Sequence, residues 1–336
     1  MKQYRYNEPP IRLFGAPLAG TETPFYRIPA EIRENVRRTL AELGCRCPGA
    51  RIGFRTNSRR FGVRVVLESM RFDVGMSVFE AQSVEVLIGD RRAPRFGGLC
   101  FPPDYGTTEF SGEFTKSAET EDILILLPRN EPVRDVIITV EDDAIVEPPT
   151  PYDGKPIIFY GSSITEGGCA AMMNSYNSII SNRLNVDYYN FGFSGNCRGD
   201  LVLADYFAGI DTSLFVFDYD HNADSAEMLA ATHEPFYKRY RALRPDVPVL
   251  FMSMPRERYE EFNLPRREII RKTYENALAA GEPVFFLDGE KFFGERDRYL
   301  CTIDCTHGPA DIILDRSLSD QSPFSSVFNW AQTSER

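Results

Sequence analysis

No stretch of this sequence approaches the ~20 consecutive apolar residues that a membrane-spanning helix needs. The opening MKQYRYNEPPIRLFGAPLAG holds no uninterrupted apolar segment of signal-peptide length either. A soluble, cytoplasmic chain with no membrane partner is the expectation. Cysteine supplies no staple framework: seven is an odd number, and 336 residues, 43% of them hydrophobic, build a core without cross-links, so reduced thiols are the default. The phosphate loop GxxxxGK[ST] and the dinucleotide fingerprint GxGxxG are both absent. Positive charge is in deficit, with 38 Lys and Arg against 49 Asp and Glu and a net charge of -11. That balance argues against nucleic acid, whose binding needs clustered cations to displace counterions. The basic spots RENVRR (33–38) and NSRRFGVR (57–64) read as solvated faces. Histidine is scarce as well, with three in the chain, so a reaction that needs an imidazole base has few candidates.

What is present divides into two rhythms. Up to about residue 148 the pattern is of short strands, with alternation at Phe61, Val63, Val65 and at Val84, Val86, Ile88. Turns are expected at TNS, IGDRR and RNEP, and buried strands at 123–127 and 136–140. This half, residues 1–150, reads as a β-sandwich, with one helix over 30–44 closed by Gly44 at its C′ position. The segment EPPTPYDGKP (147–156) has the composition of a linker. Beyond it, residues 151–336 alternate strand and helix. Strands are expected at 156–160, 186–191, 213–219, 247–253 and 283–287, with helices near 174–184, 224–243 and 265–281. Such alternation implies a parallel sheet covered on both faces, an α/β domain whose ligands bind at the carboxyl ends of the strands. The terminal stretch LDRSLSDQSPFSSVFNWAQTSER lacks helical periodicity and reads as a loosely packed tail.

Three loops at those strand ends carry chemistry. YGSSIT (160–165) places Ser163 at the start of a helix, where backbone N–H groups favour developing negative charge. FGFSGNCRG offers Gly195, whose N–H a substrate oxygen can approach without obstruction from a Cβ, and DYDHNAD offers the amide of Asn222. A hydroxyl with two donors is what acyl transfer requires, each oxyanion donor being worth about 10²- to 10³-fold in rate. A serine needs a base, and His307 follows Asp304 in DCTH, a spacing that lets the carboxylate orient the ring.

These blocks, GSSIT, SGN, HNAD and DCTH in that order, resemble the SGNH/GDSL hydrolase superfamily, and the resemblance spans residues 156–307. FGFSGNCRG, DYDHNAD and THEPFYKRYRALRP are similar to the carbohydrate-esterase-like subgroup whose hydrolase domain follows an N-terminal, jelly-roll-like β-sandwich. The resemblance implies a flavodoxin-like three-layer αβα domain preceded by a smaller β-sandwich domain. It implies Ser163 as nucleophile, His307 as base and Asp304 as its orienter. The oxyanion hole would be the N–H groups of Ser163 and Gly195 with the Asn222 side chain. No metal or organic cofactor is implied. Two positions depart from the family pattern: Ser162 stands where Asp is usual, and GPADIILDRSLSDQSP follows His307 in place of Pro and an amphipathic stretch.

Taken singly, each residue has a plainer use. Ser163 could cap a helix, Gly195 could serve a turn, and Asn222 could cap the helix that follows it. His221 competes as a base and His233 reads as a mid-helix structural residue. Cys301, Cys305 and His307 form an incomplete zinc set without an obvious fourth ligand. The aromatic stretches YRYNEPP and 96–114 read either as sugar-stacking surfaces or as packing. The expected activity is therefore serine-esterase hydrolysis of short acyl esters, acetyl foremost, on a carbohydrate or related small molecule. Acyl transfer through the same acyl-enzyme and a catalytically impaired carbohydrate-binding protein are the alternatives. The sequence is silent on oligomeric state.

Overall fold

The structure is a computed structural model that describes residues 1–71, 75–255, 260–292 and 307. Alternating apolar residues in the first half build two antiparallel sheets. One runs in the order Lys2–Arg5, Val133–Val140, Arg60–Leu67, Glu109–Thr115. The other runs Val146–Glu147, Arg51–Thr56, Glu121–Leu126, Val84–Ile88, Arg95–Cys100, with Arg12–Phe14 also paired to Arg51–Thr56. Phe61, Val63 and Val65 of the first sheet share one core with Ile52, Phe54, Val84, Val86, Ile123 and Ile125 of the second. Two inward faces meeting in one core make a sandwich.

The second half forms one parallel sheet in the order Tyr188–Gly192, Ile157–Gly161, Leu214–Asp218, Val249–Met252, Val284–Leu287. By chain order that is 2-1-3-4-5, the flavodoxin-like arrangement expected, and its switch point lies beside the first strand. Period-two alternation sorts the strand residues between two faces. Ile158, Tyr160, Phe215 and Phe217 pack under the helices Leu201–Ala208, Ala226–Leu243 and Glu260–Ala279. Ile157, Phe159 and Val216 pack against the helix Tyr176–Leu184 on the other side. No helix among the described residues is long and apolar enough to cross a membrane.

The single helix expected over 30–44 is two, Ala30–Arg33 and Arg38–Gly44, with Arg37 extended between them. Tertiary contacts override local propensity here. The Arg37 guanidinium leaves the helical path to pair with Asp200 at 2.8 Å and the Asn196 carbonyl at 2.9 Å, so it is not part of a solvated face. Gly44 is the last helical residue rather than a C′ cap, and the reason is space: a Cβ there would lie 2.2 Å from Ile28 Cγ1. Ile28, Ile32, Leu40 and Leu43 join the core of the parallel sheet, although they belong to the first half of the chain. The helix Leu201–Ala208 was not anticipated; its run LVLADYFA is too uniformly apolar to show an amphipathic period.

Buried polar groups tie the halves together. Glu85 accepts the N–H groups of Met172 at 3.0 Å and Met173 at 2.7 Å. Arg51 pairs with Asp187 and lies 4.0 Å from the Tyr188 ring centroid. Arg27, 1% exposed, donates to the carbonyls of Leu43 (2.7 Å), Arg46 (3.1 Å), Asn190 (3.1 Å) and Gly192, and to Glu166 Oε1 at 3.3 Å. Burial foremost pulls the Arg27 pKa down to about 10, with the Glu166 carboxylate opposing the shift. Removing one partner of such a pair strands the other charge without solvent. Arg27→Met is therefore expected to lower the unfolding free energy by about 3–5 kcal/mol in chemical denaturation; a change below about 1 kcal/mol would contradict this account of the interface.

Candidate active site

The first strand ends at Gly161, and the chain must turn at once to clear its neighbours. A Cβ at Gly161 would lie 2.0 Å from Thr165 Oγ1 and 2.5 Å from the Asp218 carbonyl, and one at Gly192 would lie 2.1 Å from the Glu166 backbone nitrogen. Two glycines, paired in register across the sheet, thus make room for the turn. Ser162 is the N-cap, its Oγ accepting the Ile164 N–H at 3.3 Å. Ser163 opens a helix of one turn, Ser163–Glu166, which stops at Gly167 with φ 140°. The helix is only four residues long, so Ser163 has nearby backbone N–H groups but little macrodipole behind them.

Ser163 Oγ lies 2.7 Å from His307 Nε2. This contact joins positions 144 residues apart in the chain. Gly195 sits in the loop after Tyr188–Gly192, and Asn222 in the loop after Leu214–Asp218, the two strands that flank Ile157–Gly161. Gly195 has φ 67°, and the space a Cβ would fill there is open. Asn222 Oδ1 accepts the Cys197 N–H at 3.1 Å. That bond fixes the amide's orientation and leaves its NH₂ as the free donor end. Asp304, Cys301 and Cys305 lie outside the described residues. Among the described residues no group of His, Cys, Asp and Glu is arranged to hold a metal ion.

The turn below Ser163 rests on a buried acid. Asp218 accepts the hydroxyls of Thr165 at 2.8 Å and Tyr176 at 3.3 Å. Burial, reinforced by the charge of Asp220, pushes the Asp218 carboxyl up to about 6. His221 Nδ1 lies 2.9 Å from Asp220 Oδ1, so it has the carboxylate neighbour that the sequence spacing did not offer it. The Asp220 charge raises the His221 pKa against the opposing pull of burial. Between the two competing bases, His307 is the one in contact with Ser163. His233 is fully buried, 2.9 Å from Thr273 Oγ1 and stacked on Phe217, and burial drives its pKa down to about 3, as befits a structural ring.

A cavity of about 220 Å³ opens over Ser163 and His307. Glu166, Gly168, Cys169 and Ser194 form its floor, and the sandwich supplies the facing wall through Arg46, Met76, Arg129 and Asn130. RNEP, expected as a turn, bends there with Arg129, Asn130 and Glu131 buried. Arg129 donates to the carbonyls of Gly168 and of Ala170 (3.4 Å) and to Asn130 Oδ1 (3.1 Å), which pins the strand-to-helix loop. Glu166 receives the Ser194 N–H at 3.0 Å as well as Arg27. No sequence pattern flags Arg129 or Arg46; for Glu166 the only hint is its place three residues after Ser163. A larger cavity of about 1270 Å³, lined by Lys155, Thr212, Arg244 and Glu282 among others, lies at the amino ends of the strands, away from this chemistry.

Residues 154–316 match the GDSL-like Lipase/Acylhydrolase family, and residues 4–146 match the N-terminus of Esterase_SGNH_hydro-type. The second half of the chain belongs to the GDSL-like lipase/acylhydrolase family. That membership makes it an enzyme of the serine-esterase type. Three solved structures share its architecture over nearly the whole length. A Bacteroides ovatus protein described as a GDSL-like lipase is 22% identical with a TM-score of 0.82, covering 98% of both chains. A salicylyl-acyltransferase from a tetracycline biosynthetic pathway is 18% identical with a TM-score of 0.75, covering 99% of this chain and 97% of its own. A family two carbohydrate esterase from Cellvibrio japonicus is 12% identical with a TM-score of 0.60, covering 98% of both. At these identities the likeness is one of fold. A comparison with curated proteins finds no significant match.

In this GDSL-like chain the raised Asp218 pKa has a signed consequence. The folded state holds the proton more tightly than the unfolded state, so the associated stability is complete below about pH 4 and is lost as pH rises through about 6. Asp218→Asn keeps an acceptor oxygen without the charge. Its stability relative to the parent is expected to rise between pH 4 and 6, by up to about 3 kcal/mol, and to level off above pH 7 in paired denaturation curves. A difference independent of pH would contradict the assignment.

Proposed function

We propose that this protein is a serine esterase that hydrolyses short acyl esters, acetyl foremost, of a carbohydrate or related small molecule. The observation that carries the reading is the 2.7 Å approach of Ser163 Oγ to His307 Nε2 beneath a small cavity. In this mechanism Nε2 takes the hydroxyl proton as Oγ bonds to the ester carbonyl carbon. The carbonyl oxygen becomes an oxyanion, met by the N–H groups of Ser163 and Gly195 and by the Asn222 amide. Collapse of the tetrahedral species breaks the bond to the alcohol oxygen, which leaves with the proton from His307. Water then repeats the sequence on the acyl-enzyme and releases the acid. Asp304 would hold Nδ1–H of His307, so that Nε2 faces the serine as an acceptor.

Short acyl groups suit a cavity of about 220 Å³, below the ~300–1,000 Å³ usual for drug-sized ligands. The carbohydrate preference draws on the architecture shared with a family two carbohydrate esterase. Acyl transfer to an alcohol uses the same acyl-enzyme, and the fold shared with a salicylyl-acyltransferase favours keeping it as the second reading. Product analysis with candidate acceptor alcohols separates the two, because only transfer yields a new ester.

Turnover of 4-nitrophenyl acetate is expected to fall at least ~10³-fold in Ser163→Ala, and about 10²- to 10³-fold in kcat for Asn222→Ala with KM little changed. Activity that survives Ser163→Ala in a folded variant would remove the nucleophile assignment, and an effect of Asn222→Ala confined to KM would remove its oxyanion role.

A further inference from the structure

The first-half wall of the cavity carries a guanidinium with no hydrogen-bond or ion-pair partner among the described residues. Arg46 lines the cavity together with Ser163 and His307 and is half-buried. Its main chain is pinned: the carbonyl accepts Arg27 Nε at 3.1 Å, and the N–H donates to the Leu43 carbonyl at 3.1 Å. Among the described residues, its guanidinium meets no hydrogen-bond acceptor and no carboxylate within 4 Å. The neighbouring charges are already committed. Arg129, the other arginine of the wall, is bound to the Gly168 and Ala170 carbonyls and to Asn130. Glu166 is held by Arg27 and the Ser194 N–H. Glu131 feels the Arg46 charge, but its oxygens accept the Arg71 N–H and the Gln82 amide.

A buried interface rarely leaves an arginine fork idle, because its five donors are costly to desolvate without acceptors. Arg27, Arg51 and Arg129 obey that rule with carbonyls and carboxylates of the chain itself. Arg46 differs from them: it is half-buried, and its fork lines the cavity over Ser163 and His307, where a substrate would supply the acceptors. A planar guanidinium is matched by a carboxylate, which takes two parallel N–H donors. We propose that Arg46 is a specificity-determining residue that pairs with a carboxylate carried by the ester substrate, so that the enzyme prefers anionic esters to neutral ones of the same shape. The inference rests on the esterase reading for where the substrate sits. The carboxylate belongs either to the acyl group or to the alcohol, and the test separates the two.

The test compares kcat/KM within two pairs of esters. Mono-4-nitrophenyl succinate against 4-nitrophenyl butyrate puts the charge on the acyl side; 3-acetoxybenzoate against its methyl ester puts it on the alcohol side. The expected result is a preference for the charged member in one pair, eroded by salt and reduced about ten- to hundredfold in Arg46→Gln, with Arg46→Lys retaining part of it. No preference in either pair, or a preference that Arg46→Gln leaves intact, overturns the proposal. Should Arg46→Gln fail to fold, the Lys variant and the salt dependence of the parent decide the matter. Should the parent hydrolyse none of the esters, the esterase reading fails separately. Calorimetric binding of 3-acetoxybenzoate and of mono-4-nitrophenyl succinate to Ser163→Ala then decides: binding of either that Arg46→Gln weakens tenfold supports the carboxylate site, and its absence overturns it.

Discussion

The buried guanidinium of Arg27 is the contact on which the placement of the site depends. One side chain from the first half of the chain holds Glu166, the last residue of the helical turn that Ser163 opens. It also holds the carbonyls of Asn190 and Gly192 at the end of the neighbouring strand, and that of Arg46 on the cavity wall. Three segments that must keep register for a substrate to bind are thereby joined at a single point. Such a pair in a dry environment contributes little net stability, since desolvation offsets most of the attraction, but it tolerates few alternative arrangements. The first half of the chain is consequently part of the architecture of the candidate site, with Arg129 bracing the Gly168 and Ala170 carbonyls from the other side.

The parallel sheet explains why the chemistry gathers where it does. Its strand order reverses beside Ile157–Gly161, so the loops after the first and second strands turn to opposite faces and leave a crevice between them. Ser163 stands at that crevice, two residues past the strand end, with the loops bearing Gly195 and Asn222 to either side. Thr165, Tyr176 and Asp218 support the turn from below: both hydroxyls donate to the carboxylate, and the Tyr176 hydroxyl lies 3.2 Å from Thr165 Oγ1. Burial, with the Asp220 charge beside it, disfavours the ionised form of Asp218 at this depth, and the hydroxyls of Thr165 and Tyr176 and the His221 ring oppose that shift only in part.

Much of this was legible in the residues. Each expected strand of the parallel sheet is present within two residues of its expected ends, because a buried β run bounded by turn residues is a strong local signal. The ordered blocks around Ser163, Gly195, Asn222 and His307 pointed to the carboxyl edge, and the structure brings Ser163 and His307 into contact there. What escaped is long-range. The break at Arg37 serves a partner 163 residues away. The burial of RNEP follows from carbonyls some 40 residues further on, and the glycine at 44 answers to Ile28 rather than to a helix end. Arginines at an interface have no period and no motif, so local pattern could not separate Arg27, Arg46 and Arg129 from surface charge.

The central claim is that Ser163 is the nucleophile activated by His307. Its most direct test is to treat the purified chain with a serine-directed fluorophosphonate and locate the adduct by peptide mass spectrometry. The account predicts a single stoichiometric adduct on Ser163, formed slowly or not at all in His307→Ala. An adduct on another residue, or labelling of Ser163 at the same rate without His307, would contradict it.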